Sequence, residues 1–129
     1  MTQPMLFTPL TIRGVRLKNR VVVAPMHQYS AVEGFATDWH LVNAGKYAQG
    51  GAGLVIMEST KVARNGCGTV GDTALWNDGF IPALARCAAF IKALGATSSH
   101  PSQSKISGSS PRNGLPPSQG RVSRALRPE

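Results

Sequence analysis

The sequence predicts an α/β fold in which parallel strands alternate with helices. Two aliphatic runs, Val21-Val22-Val23-Ala24-Pro25 and Leu54-Val55-Ile56-Met57, contain no charge. That is the pattern of strands covered on both faces. Each run is followed by apolar residues at helical spacing. Each also releases polar side chains at its C-terminal end: Met26-His27-Gln28-Tyr29-Ser30 after the first, Glu58-Ser59 after the second. Strand, helix and strand in this order form a right-handed βαβ unit.

Before the first run, residues 6–12 alternate, Arg13-Gly14 turns the chain, and residues 15–20 alternate again. Two alternating runs about a glycine predict a hairpin. Pro9 confines one arm to an edge. Placed just before a buried strand, such a hairpin plugs a barrel end or covers a sheet edge. Ala31–Thr37 is a loop, and Thr37 or Asp38 caps the first helix. Trp39, Val42, Ala44, Tyr47 and Ala48 recur along that helix through Gln49, and Gly50-Gly51 ends it. The Gly50-Gly51-Ala52-Gly53 stretch precedes a strand, so it is a tight link and not a phosphate loop. A Gly-rich loop, Thr60–Asn77, follows the second strand. Asn77 or Asp78 caps a second helix whose Phe80, Leu84, Ala88, Ile91 and Leu94 share a face, and Gly95 stops it.

A third apolar strand is then due. The chain reads Thr97-Ser98-Ser99-His100-Pro101 instead, and no three apolar residues run together afterwards. All eight aromatic residues precede residue 97, and residues 97–129 hold nine Ser and five Pro. Such a stretch buries too little apolar surface to offset its ordering entropy. The expectation is two regions, an ordered 1–96 and a disordered 97–129.

Of the net charge of +8, half lies in each region. The tail cations are spaced out with no aromatic residue for base stacking, so no nucleic-acid partner is expected. No apolar run approaches membrane-spanning length and no leader pattern opens the chain, so a cytoplasmic protein without a membrane partner is expected. Cys67 and Cys87 make neither a disulfide framework nor a good zinc site, so no metal is expected.

His27 and Tyr29 follow a strand, where barrel and doubly wound folds keep their chemistry. Loop residues without a task occur there too. Glu58 suits a base, a hydrogen-bond acceptor or a paired charge, with structural use favoured. His40, inside the first helix beside Trp39, suits packing or hydrogen bonding. Cys67 lies between two glycines with nothing nearby to activate it, and Cys87 reads as core.

Several segments together resemble the N-terminal part of the Old Yellow Enzyme family of NADH:flavin oxidoreductases. They are Leu6-Phe7-Thr8-Pro9-Leu10, Leu17-Lys18-Asn19-Arg20-Val21, Ala24-Pro25-Met26 with Tyr29-Ser30, Asp38-Trp39-His40 and Gly50-Gly51-Ala52-Gly53-Leu54-Val55. The resemblance spans residues 5 to 96 and is closest to the bacterial xenobiotic reductases. It implies a partial (β/α)8 TIM barrel, here a bottom hairpin plus about two βα units, with FMN at the C-terminal mouth. Family members pass hydride from NAD(P)H through flavin N5 to an activated alkene or other small electrophile, often as homo-oligomers. Carried over by position, Ala24, Pro25 and Met26 line the flavin, His27 lies near its reactive part, Ser59 lies against the ring, and Tyr29 faces the substrate as the catalytic candidate.

Two departures stand out. The nearest branch usually has cysteine at the His27 position, and histidine differs in bulk and titrates near neutral pH. A (β/α)8 barrel takes about 250 residues, more than this chain's 129. The family's third-strand glutamine, its substrate-binding His/Asn or His/His pair and its phosphate-binding arginines have no counterparts here. His100-Pro101-Ser102-Gln103 can be written CAT-CCA-AGT-CAG. Read one base later, this gives Ile-Gln-Val, close to the Ile-Gln-Leu that opens the family's third strand. Residues after about Thr97 are therefore expected to come from a shifted frame, and the chain alone to be inactive. The alternative is a small non-catalytic binding protein with a basic disordered tail.

Overall fold

The computed structural model describes residues 4–103. The chain enters through a short 3-10 turn, Met5–Phe7, into an antiparallel hairpin of β1 (Leu10–Ile12) and β2 (Val15–Leu17). Arg13 and Gly14 take φ of 46° and 86°, the left-handed pair that a two-residue hairpin loop requires. Leu17 is buried, while Ile12 and Val15 remain largely exposed.

Three strands form the parallel sheet: β3 (Val22–Val23), β4 (Leu54–Ile56) and a strand at Thr97–Ser99, with β4 central. Helix α1 (Asp38–Gln49) connects β3 to β4, and α2 (Ile81–Ala93), entered through a 3-10 turn at Asp78–Phe80, leads to the last strand. Between β4 and α2 the chain adds β5 (Thr60–Lys61), so the Thr97–Ser99 strand is β6. Beyond it β7 (Ser102–Gln103) pairs in parallel with β5.

The core is a layer between sheet and helices. Val55 and Met57 pack there with Ala44, Ala48, Ala52, Cys87, Ile91 and Ala96. Small residues on α1 let α2 come close: a Cβ on Gly45 would sit 2.4 Å from the Phe90 ring. A second cluster, Ala74, Leu75, Phe80 and Leu84, closes the C-terminal end. Gly53 lies so close to Asn19 that a Cβ would meet its carbonyl oxygen at 2.5 Å. This accounts for the glycine-rich link before β4.

Three expectations are corrected. The first strand is not buried on both faces. Only Val22 and Val23 make the ladder, and Val22 is 49% exposed. Helices cover one face of the sheet, and β3 is an edge among the described residues. The inward face of α1 is His40, Ala44, Gly45 and Ala48, while Trp39 and Val42 are exposed. Here a buried hydrogen bond and close helix packing outweigh side-chain size. Third, the sheet does not stop at residue 96. Thr97–Ser99 pairs in register with Leu54–Ile56, and Met57 N–H donates to Ser99 O at 2.8 Å. Ladder bonds use backbone groups, and the open edge of β4 supplies partners whatever the side chains. Residues 97–103 thus continue the fold. The rest of the tail expected to be disordered lies outside the described residues.

Candidate functional site

Polar side chains collect at the C-terminal ends of β3 and β4. Pro25 withholds a backbone donor just past β3, so the ladder ends there, and Ala24–His27 runs on as an exposed segment. Tyr29 then takes φ 53°. Its ring stacks on His27, with centroids 5.4 Å apart and planes 13° apart. The reversal is packed from behind by Gly71, where a Cβ would lie 2.3 Å from Tyr29 O. Ala31 N–H donates to Gly71 O.

Glu58 anchors this segment from the next strand. The residue is buried and accepts two hydrogen bonds: from Gln28 N–H at 2.6 Å and from His40 Nε2 at 2.8 Å. His40 Nδ1 accepts the Thr37 N–H at 2.9 Å. The ring proton must therefore be on Nε2, facing the carboxylate. Thr37 and His40 thus form a reciprocal cap at the start of α1. Trp39 Nε1–H donates to Gln28 Oε1, and Gln28 Nε2–H to Met26 O.

A second buried carboxylate, Asp72, faces the same place. Burial pushes its pKa up, but donors from Gly68 N–H, Thr69 N–H and Thr69 Oγ1, with the Lys61 charge, outweigh this and leave it lowered. His27 Nδ1 lies 3.7 Å from Asp72 Oδ1 and 3.9 Å from Glu58 Oε2. These contacts exceed direct hydrogen-bond length and suit one bridging water. Lys61 Nζ lies 3.5 Å from Ser59 Oγ and 4.0 Å from Asp72 Oδ2.

The structure brings Ala24, Pro25, Met26, His27 and Tyr29 onto one segment and sets Ser59 one strand away, beside Glu58. A cavity of about 20 Å³, room for about one water, lies between the strands and α1. Ala24 and Met26 reach it, with His40 and Glu58, whereas Pro25, His27, Tyr29 and Ser59 do not. A flavin does not fit that cavity. Pro25, Met26, His27 and Tyr29 are exposed and Ser59 is half-exposed. Asp72 and Lys61 escaped the sequence reading. They stand in a polar Gly-rich loop with nothing in their spacing to mark them.

Parallel strands that carry their polar groups at the C-terminal ends, helices outside and a hairpin at the opposite end define the opening portion of a (β/α)8 barrel. The NADH:flavin oxidoreductase / NADH oxidase family model matches residues 5–98. The chain belongs to this family. An NADH:flavin oxidoreductase of Gibberella zeae is 50% identical over 84 residues, 65% of this chain and 20% of that protein. An NADPH dehydrogenase of Bacillus cytotoxicus is 44% identical over 89 residues, 67% of this chain and 26% of its own length. The chain therefore spans about a fifth to a quarter of these relatives. Among solved structures, morphinone reductase superposes with a TM-score of 0.71 at 26% identity over 78% of this chain and 26% of its own. A 2-naphthoyl-CoA reductase gives 0.71 at 27% identity over 75% and 15%. The fold is thus a partial TIM barrel.

Proposed function

We propose that the chain carries the opening wall of an FMN site in an NAD(P)H-dependent oxidoreductase that reduces activated alkenes or related small electrophiles. The observation that supports this most is the Gln28 N–H to Glu58 Oε2 hydrogen bond. It ties the segment after β3 to the end of β4, which supports reading these residues as parts of one surface. Ala24, Pro25 and Met26 would contact the flavin edge through backbone and apolar atoms. His27 would stand near its reactive part, Ser59 against the ring, and Tyr29 on the substrate side. Bound FMN would supply electron transfer from NAD(P)H to the alkene. The chain's own part is to orient the ring, exclude water from one face and offer the Tyr29 hydroxyl and the His27 imidazole as hydrogen-bond partners.

The site is incomplete in this chain. Both β3 and β6 present open parallel edges among the described residues, and the one wall neither encloses the ring nor gathers cations for a phosphate. The chain alone is expected to hold FMN weakly and to be inactive. A shift of reading frame near codon 97 is the proposed origin of the remaining residues, and the gene sequence decides it. Purification followed by visible absorbance tests the functional reading. Colourless protein that takes up FMN only at high concentration fits it. Stoichiometric flavin overturns the claim of an incomplete site.

A further inference from the structure

We propose that Asp72, together with Glu58, is a positioning residue for His27. The two carboxylates hold the imidazole proton on Nδ1 and leave Nε2, on the far side of the ring, as a hydrogen-bond acceptor for a molecule bound on the His27–Tyr29 surface. That this molecule is a flavin rests on the function proposed above. The place of the proton does not.

Each carboxylate is held by one part and aimed by another. Asp72 Oδ2 accepts Gly68 N–H at 2.7 Å and Thr69 N–H at 3.4 Å, with Lys61 Nζ at 4.0 Å. Asp72 Oδ1 accepts the Thr69 hydroxyl at 3.2 Å and faces His27 Nδ1 at 3.7 Å. Glu58 divides its oxygens in the same way. Oε1 accepts His40 Nε2–H, while Oε2 accepts Gln28 N–H and lies 3.9 Å from the same His27 nitrogen. The Glu58 and Asp72 side chains are 2% and 3% exposed, against 33% for that of His27. Two buried anions from different elements, the end of β4 and the loop before α2, thus converge on one ring atom. Tyr29 stacks on the imidazole face and fixes its plane.

An ionised carboxylate accepts hydrogen bonds and donates none. The donors around Asp72 and the Lys61 charge keep it ionised despite its burial. At 3.7 and 3.9 Å the imidazole meets the carboxylates by direct attraction or through one water. A water placed there gives its two hydrogens to the two carboxylates and keeps only a lone pair for the ring. Either way Nδ1 carries the proton. The other tautomer would set a lone pair against two anions, and a ring turned over would set a carbon there. Neutral His27 therefore selects for a ligand that brings an N–H or O–H to Nε2. His40 is the contrast: Thr37 N–H occupies its Nδ1, so its proton is on Nε2, towards the same Glu58.

Long-range proton–nitrogen correlation NMR of the full chain, labelled at histidine and free of FMN, tests this. The His27 signals are those lost in His27→Gln, and the pH is raised until that ring is neutral. The expected result is a protonated Nδ1 and a bare Nε2 for His27, and the reverse for His40. Asp72→Asn is expected to lower the His27 ratio of Nδ1–H to Nε2–H about tenfold and to leave the His40 signals in place. A residue that only supported its loop would alter stability and not that ratio. The proposal is overturned if neutral wild-type His27 carries its proton on Nε2, or if Asp72→Asn keeps both the His40 signals and the wild-type His27 ratio. If Asp72→Asn loses the His40 signals, and with them the fold, the wild-type tautomer decides alone. Failure to bind FMN would overturn the flavin reading and leave this result as it stands.

Discussion

Glu58 and His40 meet at 2.8 Å between β4 and α1, both side chains almost wholly buried. The pair joins the strand end that bears the candidate site to the first turn of the helix behind it. Replacing Glu58 by Ala leaves His40 Nε2–H and Gln28 N–H without acceptors. The expected cost is about 3 kcal/mol in urea unfolding. Glu58→Gln offers one carbonyl oxygen to two donors and is expected to fall between wild type and Ala.

Gly71 and Gly45 separate two kinds of close contact. A Cβ at Gly71 would meet the Tyr29 backbone at 2.3 Å, which can yield only by moving the His27–Tyr29 segment. A Cβ at Gly45 would meet the Phe90 ring, which is 39% exposed and can swing outward. Gly71→Ala is expected to cost about 1–3 kcal/mol and to shift the Tyr29 ring resonances. Gly45→Ala is expected to cost less. Equal costs in chemical denaturation would contradict this ranking.

Asp72 sets an acid limb. Its pKa is lowered in the fold, so its stabilising contribution is full above the unfolded carboxylate value of about 3.9. It is lost as pH falls from there through the lower folded value. The stability difference between wild type and Asp72→Asn is expected to be constant above about pH 5 and to shrink below pH 3.9. Unfolding midpoints across this range check it.

Much of the architecture was legible because it rests on local chemistry. Arg13-Gly14 announced the hairpin, and Thr37 through Gly50 bounded α1. β6 was illegible: Thr97–Ser99 has no apolar pattern, and its pairing comes from the edge of β4. The exposed Trp39 was misread for a related reason, since packing of α1 follows its small residues and the His40 bond. Within the site, the clustering of His27, Tyr29, Glu58 and Ser59 at strand ends was legible. That Glu58 binds His40 and the Gln28 backbone was not, because spacing along a chain does not say which side chains meet between elements. Asp72 reaches His27 only through the fold of a long loop.

His100 is held at about pKa 4 by burial, and its Nε2 has no hydrogen-bond partner among the described residues. The unfolded chain takes up a proton near pH 6.5, while the folded chain resists until about 4. Stability is therefore full above 6.5 and lost as pH falls from 6.5 towards 4, by roughly 3 kcal/mol. His100→Asn is expected to flatten this slope, as read by urea unfolding at pH 7 and pH 4.5.

The most direct measurement for the flavin-facing wall is amide NMR of the labelled chain during an FMN titration. Shifts are expected to concentrate at Met26–Tyr29 and Glu58–Ser59, with weak, unsaturated binding. Shifts at the hairpin cations Arg13–Arg20 instead, or none at the strand ends at the highest FMN concentration, would contradict it.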